Sequence, residues 1–406
     1  MKPNIYYGGA ISEADADSKR IAKLTITALQ KHGKVLTEHL SYDDPRAWDT
    51  ENMKNGANIC ERDTAWQNDS DVVVLDISKA STGTGDENMY NIGVRGNPVL
   101  ALYRDGVRAS PMVTQRKHPL LKVESYASDG ELEQKIDAFM TAYKREFTVY
   151  PNLLVYDAID GAGKGAIGEA FKELASAKGR RIFDCVDYWK IENRIPTWAD
   201  VKTIVPDCNM VMTAEPTYAG MGKIIREEII RKGHPRPYSA LSTAFAYSLD
   251  REILFKTLLT DALNEGALVG SDRGRVTSEH YQPLQAEQFE GYNREYFLGV
   301  VRGLPGNQHS FKHVPGLLII PQVDAAVAQA RLAARTEKND NVRFEVASFQ
   351  EELAKIYAGH RITKAYERRG TQVVDLLMNK CPTRDDSKRE ATSILETYLR
   401  EKNITI

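Results

Sequence analysis

The chain has 406 residues, 54 of them basic and 56 acidic, with a formal net charge of −2 and a sequence pI near 6.5. That balance excludes a nucleic-acid-coating protein and a polybasic membrane anchor, and leaves small anions as the expected ligands. The length fits two domains of ordinary size. No run of about 18 apolar residues occurs, so no membrane span is expected. Four scattered cysteines (Cys60, Cys185, Cys208, Cys381) form no CxxC pair or metal-ligand spacing. They read as buried free thiols in a reducing, cytoplasmic compartment.

Met1-Lys2-Pro3-Asn4 leads directly into the apolar strand Ile5-Tyr6-Tyr7. From about Asp15 the spacing of Ile21, Leu24 and Ala28 predicts a helix. Val35-Leu36, Val72-Val73-Val74-Leu75 and Val99-Leu100-Ala101-Leu102 read as buried strands. Leu132, Ile136, Phe139, Met140 and Tyr143 mark a closing amphipathic helix. Such alternation implies an α/β fold with a doubly wound parallel sheet. Phe147-Thr148-Val149-Tyr150-Pro151 breaks the pattern, which places a domain boundary there and gives domains of residues 1–148 and 149–406.

The apolar run Leu153-Leu154-Val155-Tyr156 then enters Asp157-Ala158-Ile159-Asp160-Gly161-Ala162-Gly163-Lys164. A strand running into a glycine-rich turn that ends in Gly-Lys prepares a cradle of backbone N–H groups for phosphate. The motif departs from the usual pattern, with Ala158 at its opening glycine and Gly165-Ala166 where a hydroxyl residue normally follows the Lys. Further strands are expected near Arg181–Cys185, Met210–Thr213, Ala267–Ser271, Leu317–Ile320 and Gln372–Asp375, five parallel strands that fit a P-loop kinase core. Lys312-His313-Val314-Pro315-Gly316 reads as a turn, and His309 and His313 as loop residues rather than metal ligands.

Around the loop stand Thr213-Ala214-Glu215-Pro216-Thr217, Tyr247-Ser248-Leu249-Asp250-Arg251 and Ser271-Asp272-Arg273, followed by Ser278 and Tyr281-Gln282, and later Arg331, Arg335 and Arg343. Residues at the carboxyl ends of parallel strands converge on one crevice. Each arginine singly is as readily a solvated helix face; together they suit phosphoryl transfer, which asks for positive charge and positioning. This set resembles thymidylate kinase, with its Glu-Gly-x-Asp-Gly-x-Gly-Lys loop, Thr-Arg-Glu-Pro turn, Phe-x-x-Asp-Arg segment and Asp-Arg-Tyr followed by Ser/Asn and Tyr-Gln, over residues 151–402. The resemblance implies that Asp160, Gly161, Ala162, Gly163, Lys164, Gly165 and Ala166 bind ATP. It gives Asp160, Tyr247, Arg251, Arg273, Ser278, Tyr281 and Gln282 to a nucleoside monophosphate, and Arg331 and Arg335 to the lid. Mg²⁺ accompanies ATP as the implied cofactor, with Asp157 and Asp272 as its ligands. Ala214 replaces the Arg of the Thr-Arg-Glu-Pro turn and Gly274 the aromatic of Asp-Arg-Tyr, which points to a base other than thymine, such as a modified pyrimidine.

In the first domain the informative residues are Tyr6-Tyr7-Gly8-Gly9, Gly33-Lys34-Val35-Leu36-Thr37-Glu38-His39, Glu61-Arg62-Asp63-Thr64-Ala65-Trp66 and Ser81-Thr82-Gly83-Thr84-Gly85-Asp86-Glu87. Paired carboxylates at a strand end suit glycosidic cleavage. From spacing alone, however, Asp63 reads as an exposed helix charge and Glu87 as the neighbour of a helix N-cap. Residues 4–115 resemble the 2′-deoxynucleoside 5′-phosphate N-hydrolases and nucleoside 2-deoxyribosyltransferases, which share Tyr-Phe-x-Gly-Ser-Ile, Gly-Lys-Val-Leu-Thr-Glu-His, Asp-Leu-x-Trp and Ser-x-Gly-x-Gly-x-Glu. The resemblance implies a deoxyribosyltransferase-like Rossmann-type fold in which Glu87 is the nucleophile, Asp63 orients the sugar or protonates the base, and Tyr6 supplies a hydroxyl. Gly9, Ile11 and His39 would line the ligand, with Ile11 against the base. Ser81 and Gly83 would receive a 5′-phosphate, and Ser110 and Met112 would serve the neighbouring subunit of a homodimer. Ala10 and Ser12 stand where the hydrolase has a Ser and an Arg, which weakens the preference for a phosphorylated substrate.

The whole therefore reads as a bifunctional enzyme of deoxynucleotide metabolism acting on small deoxynucleotides and ATP, with no nucleic-acid or membrane partner. The alternative is a hydrolase or deoxyribosyltransferase regulated by a catalytically weak nucleotide-sensing domain.

Overall fold

A computed structural model describes residues 2–11, 15–52, 58–143, 147–231, 233, 237–334, 346–381 and 383–404. Ser12, Arg335 and Arg343 lie outside the described residues. By its contacts the chain falls into two compact units, one of residues 1–146 with 295–303 and one of residues 147–294 with 304–406. A contiguous division near residue 148 would leave Glu295–Gly303 with the second part; the contacts group it with the first. Close approach explains the grouping. A Cβ on Gly299 would run into the Tyr90 hydroxyl and one on Gly303 into the Val94 carbonyl, while Arg302 Nη1 donates to Asn68 O at 2.9 Å.

The first unit holds five parallel strands, β1 (Asn4–Gly8), β2 (Lys34–Val35), β3 (Val72–Asp76), β4 (Val99–Arg104) and β5 (Leu121–Tyr126), in the order β2-β1-β3-β4-β5. Their apolar runs are nearly continuous because helices cover both faces. Ile5, Tyr7, Val74 and Leu100 pack with Ile21 and Leu29 of the helix Ala16–Gln30 and with Leu132 and Ile136 of the helix Asp129–Ala142. Tyr6, Val73, Leu75 and Ala101 pack the other way, with Ile92 and Val113. Asp15 starts the first of these helices by accepting from Ser18 N at 2.8 Å. β5 was not expected, because its residues alternate with polar ones and are mostly half-buried at the sheet edge.

The second unit is a six-stranded parallel sheet of β6 (Thr148–Tyr156), β7 (Ile182–Asp184), β8 (Met210–Ala214), β9 (Leu268–Asp272), β10 (His313–Gln322) and β11 (Gln372–Leu377). Its order is β11-β10-β6-β9-β8-β7. The five expected strands are joined by the one that enters the glycine-rich loop. Two readings are corrected here. Thr148–Pro151 is not a break but the start of β6, and Lys312–Gly316 is not a turn, since His313 opens β10 and pairs with Thr148. Pro151, Pro315 and Gly316 signal a turn in the sequence, yet the fold uses them in a bulge where the register shifts between Pro315 and Leu317. His309 lies in the helix Pro305–Phe311 and His313 in a strand, so neither is a loop residue. Cys60 is exposed, against the expectation of burial; Cys185, Cys208 and Cys381 are buried, and all four are free.

Among the described residues no helix is long and apolar enough to cross a membrane. Gly270 in the middle of β9 packs directly under Phe171, whose ring a Cβ would strike, with Met212 Sδ at 2.8 Å behind it. Gly270→Val should destabilise the second unit by about 1–3 kcal/mol through overpacking, seen as a lower midpoint in chemical denaturation followed by circular dichroism.

Candidate active sites

In the first unit the order of the strands reverses between β1 and β3, and their carboxyl ends open the crevice where ligands bind in such sheets. Tyr6, two residues before the end of β1, is almost wholly buried and donates its hydroxyl to Glu87 Oε1 at 2.6 Å. Glu87 sits on the helix Thr82–Met89, which Ser81 caps by accepting from Thr84 N at 3.2 Å. Its place is therefore well inside that helix rather than beside the cap. A Cβ on Gly8 would collide with Glu87 Oε2, so the carboxylate occupies the space that this glycine leaves. Glu87 Oε2 is buried without a hydrogen-bond partner among the described residues. Burial pushes the Glu87 carboxyl up to about 7, opposed by the Tyr6 hydrogen bond and reinforced by Asp63 and Asp86.

Asp63, on the helix Ile59–Asp69, is only partly exposed, and burial raises its carboxyl as well. Arg62 holds it, donating Nε to Asp63 Oδ1 at 2.9 Å while Nη1 pairs with Asp49. The guanidinium lies over the Trp66 ring at 4.6 Å. His39 is buried and stacked on Trp48 at 4.3 Å. Burial, helped by Arg62, pushes it down to about 4, so it is a neutral ring at pH 7. Asp49 and Trp48 carried no sequence signal, and Arg62 only that of lying within a matched segment.

Gly9 and Ile11 line an open cavity of about 510 Å³ with Tyr7 and Asp76. Ser81 spends its hydroxyl on the helix cap, and Gly83 is exposed. Ser110 and Met112 flank and enter the short helix Pro111–Thr114 on the surface. Among the described residues neither is hydrogen-bonded to Tyr6, Asp63 or Glu87.

In the second unit the glycine-rich loop joins β6 to the helix Lys164–Ala177. Gly161 and Gly163 have φ of 79° and 94°, a backbone that favours glycine. The helix Ala325–Ala333 presses on the loop, since a Cβ at Gly161 would meet the Ala328 carbonyl. Arg331 Nη1 reaches to 3.8 Å of the Cβ position of Gly163. Lys164 Nζ donates to Ala158 O at 3.1 Å and Ile159 O at 2.9 Å, and burial pushes it down to about 8. Ala162 and Ala166 are buried. A Cβ at Gly165 would meet nothing within 4 Å.

Arg273 has a φ of 71°, an uncommon conformation for a non-glycine residue. Its guanidinium donates to Ala158 O at 3.0 Å, pairs with Asp160 and lies 5.3 Å from the Tyr281 ring. Tyr281 in turn donates to Asp160 at 3.4 Å. Arg251 is fully buried and bonded to Glu215 at 2.7 Å, to Ser278 at 3.1 Å and to Asn307. Gln282 bonds Ser278 at 3.3 Å. Tyr247 is raised to about 12 by burial, against the lowering charges of Arg226 and Arg273.

Asp157 has both oxygens taken, one by Tyr357 at 2.7 Å and one by Thr277 at 2.6 Å. These bonds anchor the start of the loop. Asp272 Oδ1, by contrast, is buried with no hydrogen-bond partner among the described residues, and one carboxylate beside a phosphate cradle fits Mg²⁺, which keeps water and phosphate as its other ligands. Among the described residues no cluster of three or more His, Cys, Asp or Glu side chains forms a metal cage. Sequence reasoning missed Thr277, Asn307 and Tyr357 as site supports.

Tyr6→Phe removes the hydrogen bond that lowers Glu87. The apparent pKa of Glu87 should then rise above about 7 in a titration followed by carboxyl carbon NMR; an unchanged or lower value would disprove the Tyr6–Glu87 coupling.

No protein-family model matches the chain. It is 34% identical over 128 residues to a putative 2′-deoxynucleoside 5′-phosphate N-hydrolase 1 of Syntrophotalea carbinolica, a match covering 32% of this chain and 87% of that protein. It is 33% identical over 143 residues to the 5-hydroxymethyl-dUMP N-hydrolase of Danio rerio, covering 34% of this chain and 94% of that protein. It is also 31% identical over 151 residues to a thymidylate kinase of Clavibacter michiganensis subsp. michiganensis, covering 37% of this chain and 66% of that kinase, just under two thirds of its length. With relatives of the first kind matched over nearly their whole length, the chain belongs to the 2′-deoxynucleoside 5′-phosphate N-hydrolase family.

Proposed function

We propose that the chain carries two activities on deoxynucleoside 5′-monophosphates: cleavage of the N-glycosidic bond in its first unit and ATP-dependent phosphorylation in its second. The observation that carries the first is the Tyr6–Glu87 hydrogen bond with Glu87 Oε2 left unpartnered. Ionised Glu87 attacks C1′ as the bond from C1′ to the base nitrogen breaks. Asp63, whose carboxyl is raised by burial, gives its proton to the departing base. Water then attacks C1′ of the deoxyribosyl ester, returning its proton to Asp63 and freeing Glu87 with deoxyribose 5-phosphate. A free base in place of water would make the reaction a transfer.

In the second unit Lys164 and Arg331 face the phosphates of ATP, and Arg273 with Asp160 and Tyr281 faces the acceptor. Asp272 would hold Mg²⁺, which neutralises charge on the transferring phosphoryl group when bound. A sensing role for this unit is the rival reading, favoured by the folding of Lys164 onto loop carbonyls and by the missing hydroxyls at Gly165-Ala166.

Glu87→Gln should lower base release from deoxynucleoside monophosphates by at least about a hundredfold, measured by chromatography of the free base. Because turnover needs Glu87 ionised and Asp63 protonated together, the wild-type kcat/KM should pass through a maximum with pH, with one limb near 7 set by Glu87. At Gly165 a Cβ would meet nothing within 4 Å, and Gly165→Thr should raise phosphoryl transfer from ATP to a panel of monophosphates. Tight ATP binding with background transfer in the wild type, restored by that substitution, would decide for the sensor.

A further inference from the structure

Asp63 has a neighbour that works against the task given to it. A guanidinium bonded to a carboxylate favours the ionised form, and an acid that delivers a proton must first carry one. Arg62 donates Nε to Asp63 Oδ1 at 2.9 Å, yet burial leaves the Asp63 carboxyl raised. A second carboxylate bears on the same guanidinium. Asp49, on the helix Pro45–Asn52, is buried and accepts from Arg62 Nη1.

When Asp63 takes up a proton it ceases to be an anion, and Asp49 keeps a carboxylate against Arg62. Made neutral, Asp49 would leave the charge of the guanidinium to fall on Asp63, which favours loss of that proton. The charge of Asp49 also raises the Asp63 carboxyl directly, against the lowering effect of Arg62. The guanidinium is held in this arrangement, 4.6 Å from the Trp66 ring centre and 5.7 Å from that of Trp48. His39, stacked on Trp48 at 4.3 Å, places Nε2 3.7 Å from Asp49 Oδ1. Burial pushes His39 down to about 4, so at pH 7 it brings no second positive charge to Asp49. Tyr6 on β1 and Glu87 on the helix Thr82–Met89 also lie within electrostatic reach of Asp63.

We propose that Asp49 is a positioning residue of the glycosidic reaction: through Arg62 it fixes the direction of the Asp63 carboxyl and balances the guanidinium charge, so that Asp63 carries the proton it delivers. The inference rests on the reading of Glu87 as nucleophile and Asp63 as acid. To these it adds a residue that touches neither the substrate nor the reacting atoms. The Asp63 O–H bond breaks with the bond from C1′ to the base nitrogen, and the proton and the electron pair of that bond both go to the base. Arg62 and Asp49 exchange no proton.

The test uses the full chain and its Asp49→Asn variant, which keeps the shape of the side chain and removes its charge. Base release from a panel of deoxynucleoside monophosphates, followed as kcat/KM against pH, should fall about tenfold at its maximum. The limb set by Asp63 should move to lower pH while the limb near 7 set by Glu87 stays in place. Asp49→Glu, which restores the charge, should recover part of the loss. A p-nitrophenyl 2-deoxyriboside 5-phosphate, whose nitrophenolate departs without a proton, should be cleaved by Asp49→Asn at the wild-type rate. An Asp49 that only supports the fold would slow both kinds of substrate alike. That equal loss, or a pH profile for base release unchanged by the substitution, would overturn the inference while leaving the glycosidic reading intact. A wild type that releases neither base nor nitrophenolate would overturn both.

Discussion

The first unit is organised around a carboxylate placed where a carboxylate is costly. Burying an anion away from a counter-charge is unfavourable, and Glu87 meets a phenolic hydroxyl on one oxygen and a glycine backbone on the other. No arginine or lysine is hydrogen-bonded to it among the described residues. Its neighbour Asp63 is treated differently, being held by Arg62 in a cluster with Asp49 and two tryptophans. Two carboxyl groups near one strand end thus have unlike surroundings, and the proposed division between nucleophile and acid rests on that difference.

The second unit faces the opposite problem, gathering cations close together around its glycine-rich loop. Burial, and after it the nearby Arg273, lower the affinity of Lys164 for its proton. Backbone carbonyls of Ala158 and Ile159 and the carboxylate of Asp160 hold these charges in place. Arg251 is neutralised by Glu215 beneath the surface, so its guanidinium is fixed in direction. On the proposed reading, a phosphate entering here would exchange these internal partners for its own oxygens, and its affinity would be the difference between the two sets.

Much of this was legible in the sequence because it depends on local pattern. Val72–Leu75 and Val99–Leu102 are apolar without interruption since both faces of the sheet are covered, and Gly161 and Gly163 announce a backbone only glycine adopts freely. β5 was missed because an edge strand alternates, and the start of β6 and of β10 because Pro151, Pro315 and Gly316 mark a bulge with the residues of a turn. In the sites, the candidate residues were named by motif, whereas most of the groups that hold them were not. Arg62 and Asp49, or Arg251 and Asn307, meet only after folding, and nothing in their spacing records it. Asp157 shows the same limit: its place in the loop motif suggested a metal ligand, and its bonds to Tyr357 and Thr277, from residues far along the chain, have no signal in the sequence.

Those two bonds have a consequence for how the chain comes into being. The first residue of the phosphate cradle is tied to partners 120 and 200 positions later in the sequence. Contacts so far apart close late, because the intervening chain must first be ordered. On a ribosome, the strand and helix that flank the cradle are complete long before Tyr357 has been made. During that interval the nascent second unit has its glycine-rich loop but not the hydroxyl that fixes the loop's entrance, so the cradle cannot mature as an independent cassette.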